Sequence, residues 1–311
     1  MLERDPKNND LVISAKKARA IVAVIVIMAA VLHLIAVGSP LADDHSWNQI
    51  VAAMNARHFM EEGFDWLHPQ RDIFSPGHPG PRIEAEEAPI YHLIVGVLAA
   101  VFGHLVVMGR LVSILFGAGA TIYLFLLVRR KAGDLAAVFA AYFFAFGPYP
   151  FYFYRTIMSD GAMVFAVIAA LYYFDRYCDE QGKADLVLAA GLTALAGLFK
   201  PYAFFIGVPM LAMAGKSFGW AMFRRPGLWV FAVIAMIPPL LWVRWAVNLG
   251  TIGGGSALSG MISGEPPLYG KWSLLWDPKW YYRMQWRLFD RMMTPIVPVL
   301  ILATIFLKDG R

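Results

Sequence analysis

Two adjacent carboxylates are the residues most suited to chemistry in this chain. Asp43-Asp44-His45-Ser46-Trp47 follows an apolar run, Ala20 to Gly38, that carries no Lys, Arg, Asp or Glu. A run of that length crosses a bilayer as one helix. Carboxylates at a membrane surface are costly to bury and anchor nothing, so a pair of them is a candidate for catalysis. Two readings stand side by side. Asp is a favoured helix N-cap, and Trp47, Ile50, Val51 and Met54 have helical apolar spacing, so Asp43 or Asp44 caps a helix. Alternatively, one carboxylate is a general base that takes the proton of a hydroxyl or amine acceptor as it attacks. Both hold together if Asp44 caps and Asp43 acts as base.

Three further charged residues sit between apolar runs. Arg155 and Asp160 flank a short turn, either as a local ion pair or snorkelling Arg, or as groups that face an anionic donor and orient an acceptor. Lys200 ends one apolar run and Pro201 begins the next. It is either an interfacial anchor or a point charge for a phosphate. The seven His are scattered, with neither HxxxH nor HExxH, and the single Cys178 has no metal-ligand spacing. Either Asp44-His45 holds a divalent metal with Asp160, or His45, as a lone His more often is, is a hydrogen-bonded structural group; no cofactor is expected. No phosphate-binding glycine fingerprint opens a helix, so nucleotide use is not expected either.

Such residues need a scaffold that brings them to one membrane face. The 311 residues are 59% hydrophobic and 16% charged, with a mean hydropathy of +0.56. A soluble domain of this size could not cover so much apolar side chain, which points to an all-α, multi-pass membrane protein. The net charge of +5 lies in short clusters between apolar runs, so no nucleic-acid partner is expected. The first apolar run lacks a clear cleavage site and is read as a retained helix. About eight spans are expected: 19–38, 106–128, 133–153, 161–177, 184–199, 201–215, 226–247 and 293–307. Residues 88–103 are apolar but short, and fit a re-entrant or interfacial helix.

Basic clusters orient the chain. Lys16, Lys17 and Arg19, then Arg129, Arg130 and Lys131, then Lys216, Arg224 and Arg225 share the cytoplasmic side only if 88–103 does not cross. Residues 39–105 then form a first extracytoplasmic loop with interfacial helices, and 248–292 a second. Between Asp43 and Glu87 there are nine acids and three Arg. Trp272, Trp276, Trp280, Tyr281, Tyr282 and Trp286 in the second loop read as an interfacial aromatic belt, or as stacking surfaces for a sugar. Asp43, Asp44, Arg155, Asp160 and Lys200 converge on one face. The chain reads as a single membrane domain over 1–311.

In order along the chain, these pieces resemble the GT-C superfamily of polytopic glycosyltransferases, in the branch of protein O-mannosyltransferases and lipid A aminoarabinose transferases. Asp43-Asp44-His45-Ser46-Trp47 is similar to the acidic motif after the family's first helix, and GFDWLHP to its G-D-W-L-x-P stretch. Glu87-Ala88-Pro89-Ile90-Tyr91 stands where the family has Lys-Pro-Pro-Leu-Tyr. GRLVSILFGAGATIYLFLLVRR, YRTIMSDGAMVFAVIAALYYFDRY and GLFKPYAFFIGVPML resemble the helices and outer turns that follow.

The resemblance covers about residues 10–215. It implies a GT-C-type helix bundle with amphipathic helices in the first outer loop. It also implies an inverting enzyme that moves a sugar from a polyprenyl-phosphate donor to a lipid, glycan or protein acceptor. The implied location is a bacterial inner membrane, with the active site facing outward. It makes Asp43, Asp44 and Asp160 the catalytic candidates. Arg155, Lys200, Glu87, Tyr91 and Trp47 are implied at the substrate. Glu87 departs from the family's Lys, and an acid there repels phosphate. Two alternatives are a transporter or flippase for an isoprenoid lipid, which should show paired broken helices in two related halves, and a catalytically inactive GT-C scaffold of a larger complex.

Overall fold

The computed structural model describes residues 3–4, 11–43, 45–72, 82–83, 85, 87–249, 276–279 and 281–282. Helix α1 (Ala15–Leu34) starts at Ser14, whose hydroxyl accepts the Lys17 amide at 3.4 Å. Its inward residues recur every three or four positions: Ala18, Val22, Ile25, Ala29 and His33. They meet Ala137, Ala141 and Ala145, one turn apart on α4 (Leu105–Phe146). Lipid gives no hydrophobic drive between helices, so small residues that allow close approach hold such pairs.

The 42 residues of α4 form two arms that meet at Gly133, where φ is 83°. A side chain is disfavoured in that region, and glycine takes it freely. The two arms correspond to two expected spans, but the second ends at Phe146 rather than near 153. Gly147 precedes Pro148, and the residue before a proline avoids the helical region. A new short helix, α5 (Pro148–Phe153), follows.

Next come α6 (Asp160–Glu180) and α7 (Lys183–Phe199), joined by a turn with Gln181 at φ 58°. Lys200 leads into a 3₁₀ turn (Pro201–Ile206), α8 (Gly207–Phe218), a second 3₁₀ turn (Gly219–Arg224) and α9 (Pro226–Asn248). The central helix is α6, which packs on α4, α7 and α8. Strands are confined to two-residue pairs: β1 (Glu3–Arg4) with β2 (Leu11–Val12), and β3 (Gln70–Arg71) with β4 (Arg82–Ile83).

Five described segments are long and apolar enough to span a bilayer: Ala15–Leu34, Leu105–Phe146, Asp160–Glu180, Pro201–Arg224 and Pro226–Asn248. The chain is an all-α polytopic membrane protein. The expected span at 293–307, most of the 248–292 loop, Trp272, Trp280 and Trp286 lie outside the described residues. Trp276, Tyr281 and Tyr282 are exposed.

Residues 88–103 form α3 (Ile90–Phe102), whose 13 residues extend only about 20 Å. Its first turn is held by Tyr91, whose hydroxyl donates to the Gly109 carbonyl at 2.9 Å and lies 2.8 Å from Ser113 Oγ. Its last turn leads straight to Leu105. Both ends of α3 therefore lie at the same end of α4, where Arg110 also reaches the chain leaving α1.

The 21 residues of α6 span about 30 Å, the thickness of a hydrocarbon core. Asp160 stands at one end. At the other, Arg130 binds Asp175 at 3.1 Å, Asp179 at 3.0 Å and Glu180 at 2.9 Å. The basic cluster 129–131 thus lies at the opposite end of the bundle from Asp160.

Candidate active site

The segment after α1 is fixed by Arg110, itself 3% exposed. Its guanidinium donates to the carbonyls of Ala36 at 3.1 Å, Val37 at 2.8 Å and Ser39 at 2.8 Å. These carbonyls lie just past the helix end, where acceptors lack intrahelical partners and a cation is favoured. The chain then turns at Asp43 into α2 (Ser46–Glu61). His45, not Asp43, stands at the N-cap of α2, and no side chain caps it. Asp44 lies outside the described residues. The Asp43 carbonyl accepts the Ser46 amide at 3.0 Å, and its carboxylate accepts the side-chain amide of Gln49.

Gln49 is fully buried. Its Oε1 accepts the Ile157 amide at 3.3 Å. A backbone N–H only donates, so the oxygen must face Ile157 and the NH₂ must face Asp43. One side chain therefore ties the Asp43 loop to the 154–159 turn. Arg155, on that turn, is half-buried and acts electrostatically on Arg110 and His33.

A second group surrounds a cavity of about 360 Å³ between α2, the start of α3 and the Ser159–Asp160 corner. Its wall includes Trp47, Asn55, Arg71, Glu87, His92, Ser159, Asp160 and Lys200. Lys200 is its electrostatic centre, bonded to Glu87 and 3.5 Å from Asp160. Ser159 donates its hydroxyl to Glu87, and Tyr202 donates to Asp160 at 3.1 Å. Burial raises the Glu87 carboxyl above its ordinary value, against the pull of Lys200 and Ser159. Burial works against the Lys200 ammonium, but the carboxylates of Glu87 and Asp160 outweigh it and raise its pKa.

Arg71 is the second cation of the wall. Strand pairing with β4 positions its backbone, and Asp72 follows it in the chain. Asp72 is held by Arg57, and by His58 at 2.9 Å. The preceding loop is pinned to α9, where Trp66 stacks on Trp242 with centroids 6.2 Å apart. Trp245 Nε1 also donates to the Leu67 carbonyl at 3.0 Å.

The expected site residues fall into two places. Trp47, Glu87, Asp160 and Lys200 share the cavity, whereas Asp43, Tyr91 and Arg155 are not in its lining. Tyr91 is fully buried and braces α3 against α4. Asn55, Arg71, His92 and the bridging Gln49 carry no motif that singles them out in the sequence. Among the described residues, no three His, Cys, Asp or Glu side chains are grouped to hold a metal.

The family model for dolichyl-phosphate-mannose-protein mannosyltransferases matches residues 86–245. The match includes Glu87, Tyr91, Arg155, Asp160 and Lys200, and begins after Asp43, Asp44 and Trp47. No curated protein and no solved structure matches the chain.

Proposed function

The chain belongs to the dolichyl-phosphate-mannose-protein mannosyltransferase family, and on that premise we propose that it transfers a sugar, with inversion, from a polyprenyl-phosphate donor to a lipid, glycan or protein acceptor. The observation that carries this reading is the cavity around Lys200, whose charged residues Glu87, Asp160 and Lys200 all come from the family-matched segment, at one end of an apolar bundle. The bundle would sit in a bacterial inner membrane with this end outward.

In this reading the acceptor oxygen attacks the anomeric carbon. The bond from that carbon to the phosphate oxygen breaks, and the lipid phosphate leaves with the electron pair. The acceptor proton passes to a carboxylate, for which we assign Asp43. Asp160, beside Lys200, orients the sugar or the acceptor. Charge gathering on the phosphate is met by Lys200 and Arg71 in the cavity, with Arg155, outside its lining, adding positive charge on the Arg110 side. Fixed cations act most strongly where water is excluded. Glu87 does not cancel this arrangement. Its pKa is raised by burial, so it takes a proton more readily than an ordinary carboxyl, and protonation leaves Lys200 paired with Asp160 alone and open to phosphate. No cofactor enters the scheme.

Asp43→Asn tests the assignment. Transfer by the purified variant should fall by about 10²–10⁴-fold, the usual effect of losing a general base, with its unfolding temperature unchanged. Near wild-type transfer by Asp43→Asn, with Asp160→Asn inactive, would move the base to Asp160. Transfer by neither variant nor wild type from any polyprenyl-phosphate sugar would end the enzyme reading.

A further inference from the structure

We propose that Asn55 and His92 form a subsite for sugar hydroxyls in the cavity wall, and so decide which glycosyl headgroup the protein accepts. The inference rests on reading the cavity as the donor site of a glycosyltransferase. Both residues line that cavity and both are buried, at 4% and 7% exposure. Asn55 Oδ1 and His92 Nδ1 are nevertheless buried without a hydrogen-bond partner. Around them Glu87 is bonded to Ser159 and Lys200, and Asp160 accepts from Tyr202 through Oδ1 while its Oδ2, which makes no hydrogen bond, lies 3.5 Å from the Lys200 ammonium. An unpaired buried polar atom costs stability, which an apolar residue in its place would avoid. Two of them lining one cavity therefore point to a ligand that completes them.

The packing of α2 on α3 places them together. Gly96 lies one turn beyond His92, and Ala56 is next to Asn55. A Cβ at Gly96 would come within 2.8 Å of the Ala56 carbonyl, so the helices touch at backbone distance there. The chemistry of the pair suits a polyol. Burial, helped by the charge of Lys200, lowers the His92 pKa and keeps the ring neutral, with one donor and one acceptor. The Asn55 amide also offers both. A hydroxyl can donate and accept, so neighbouring sugar hydroxyls can satisfy both side chains. A phosphate oxygen only accepts, and its natural partners in the cavity are Lys200 and Arg71.

Binding to the full chain in lipid nanodiscs decides the matter, with two probes: a short-chain polyprenyl phosphate, and the same lipid carrying mannose or glucose. Asn55→Leu and His92→Phe should each weaken the sugar-bearing probe by roughly tenfold, the loss of one neutral hydrogen bond. The bare phosphate should change less than about twofold. The unfolding temperature should hold or rise, because an unsatisfied polar group has been replaced by an apolar one. The milder His92→Gln keeps a donor and an acceptor and should retain part of the preference. Equal weakening of both probes, or a lower unfolding temperature with the preference intact, would make these residues structural and overturn the proposal. So would a wild-type protein that binds both probes equally. Binding of neither probe by the wild type would instead remove the donor-site reading on which the proposal stands.

Discussion

Replacing Lys200 by Met keeps a long apolar stem and removes only the charge, which separates the ion pair from packing. The ammonium serves Glu87 and, at 3.5 Å, Asp160. Its side chain is 17% exposed and that of Glu87 24%. Removing one partner of a fully buried pair costs about 3–5 kcal/mol, and an exposed pair contributes about 0–1 kcal/mol. The partial exposure here places the loss near 2 kcal/mol. A proton can relieve it, because Glu87 in its neutral form no longer repels Asp160. The full loss should therefore appear where Glu87 is ionised and shrink as pH falls through its raised pKa. Adding Glu87→Gln to Lys200→Met should recover at least half of it. The assay is reversible unfolding in lipid nanodiscs, followed through the four members of the double-mutant cycle. A single variant within about 0.5 kcal/mol of wild type, or a double variant no more stable than the single, would refute the pairing and with it the centre of the proposed site.

Three other outcomes are expected. Gln49→Met should cut transfer by about tenfold or more while the fold survives. Gln49→Glu should push the acid limb of the pH–rate profile upward by setting a carboxylate against Asp43; an unmoved limb would detach Gln49 from the base. Glu87 should retain a protonated-carboxyl infrared band above the ordinary pKa of 4.5, absent in Glu87→Gln. The folded chain then binds more protons than the unfolded one above pH 4.5, so this group's contribution to stability falls as pH rises toward the folded pKa. A band lost at the ordinary value would contradict the burial argument.

The helices were legible because lipid demands long uncharged runs, and such runs are plain in the sequence. The broken geometry of α4 was partly legible too: Gly133 sits beside the Arg129–Lys131 cluster, where a return is needed. The stop at Phe146 was foreseeable from Gly147-Pro148 but was masked by the apolar run continuing through it. In the site, Glu87, Asp160 and Lys200 announced themselves as charges next to apolar segments. Asn55 and His92 did not, because their meaning lies in hydrogen bonds they fail to make, which only packing reveals. Asp43 or Asp44 read as a helix cap by residue type, with Asp43 also the candidate base, yet a buried glutamine six residues on donates to the Asp43 carboxylate. Long-range partners of this kind have no local signature.

The Trp66–Trp242 stack and the bond from Trp245 to the Leu67 carbonyl join residues 178 positions apart for the latter pair. Glu87 similarly waits for Lys200, 113 residues later. At a synthesis rate of about 5–20 residues per second, that interval is roughly 6–23 s. During it the nascent first loop stands at the membrane surface with Glu87 lacking its counter-ion and its tryptophans unstacked. The cavity around Lys200 therefore cannot mature helix by helix as the chain inserts. Lys200 arrives first and supplies the counter-ion, and α9 follows to stack Trp242 on Trp66, so a ribosome that stalls before Trp242 leaves the first loop without its tryptophan clamp.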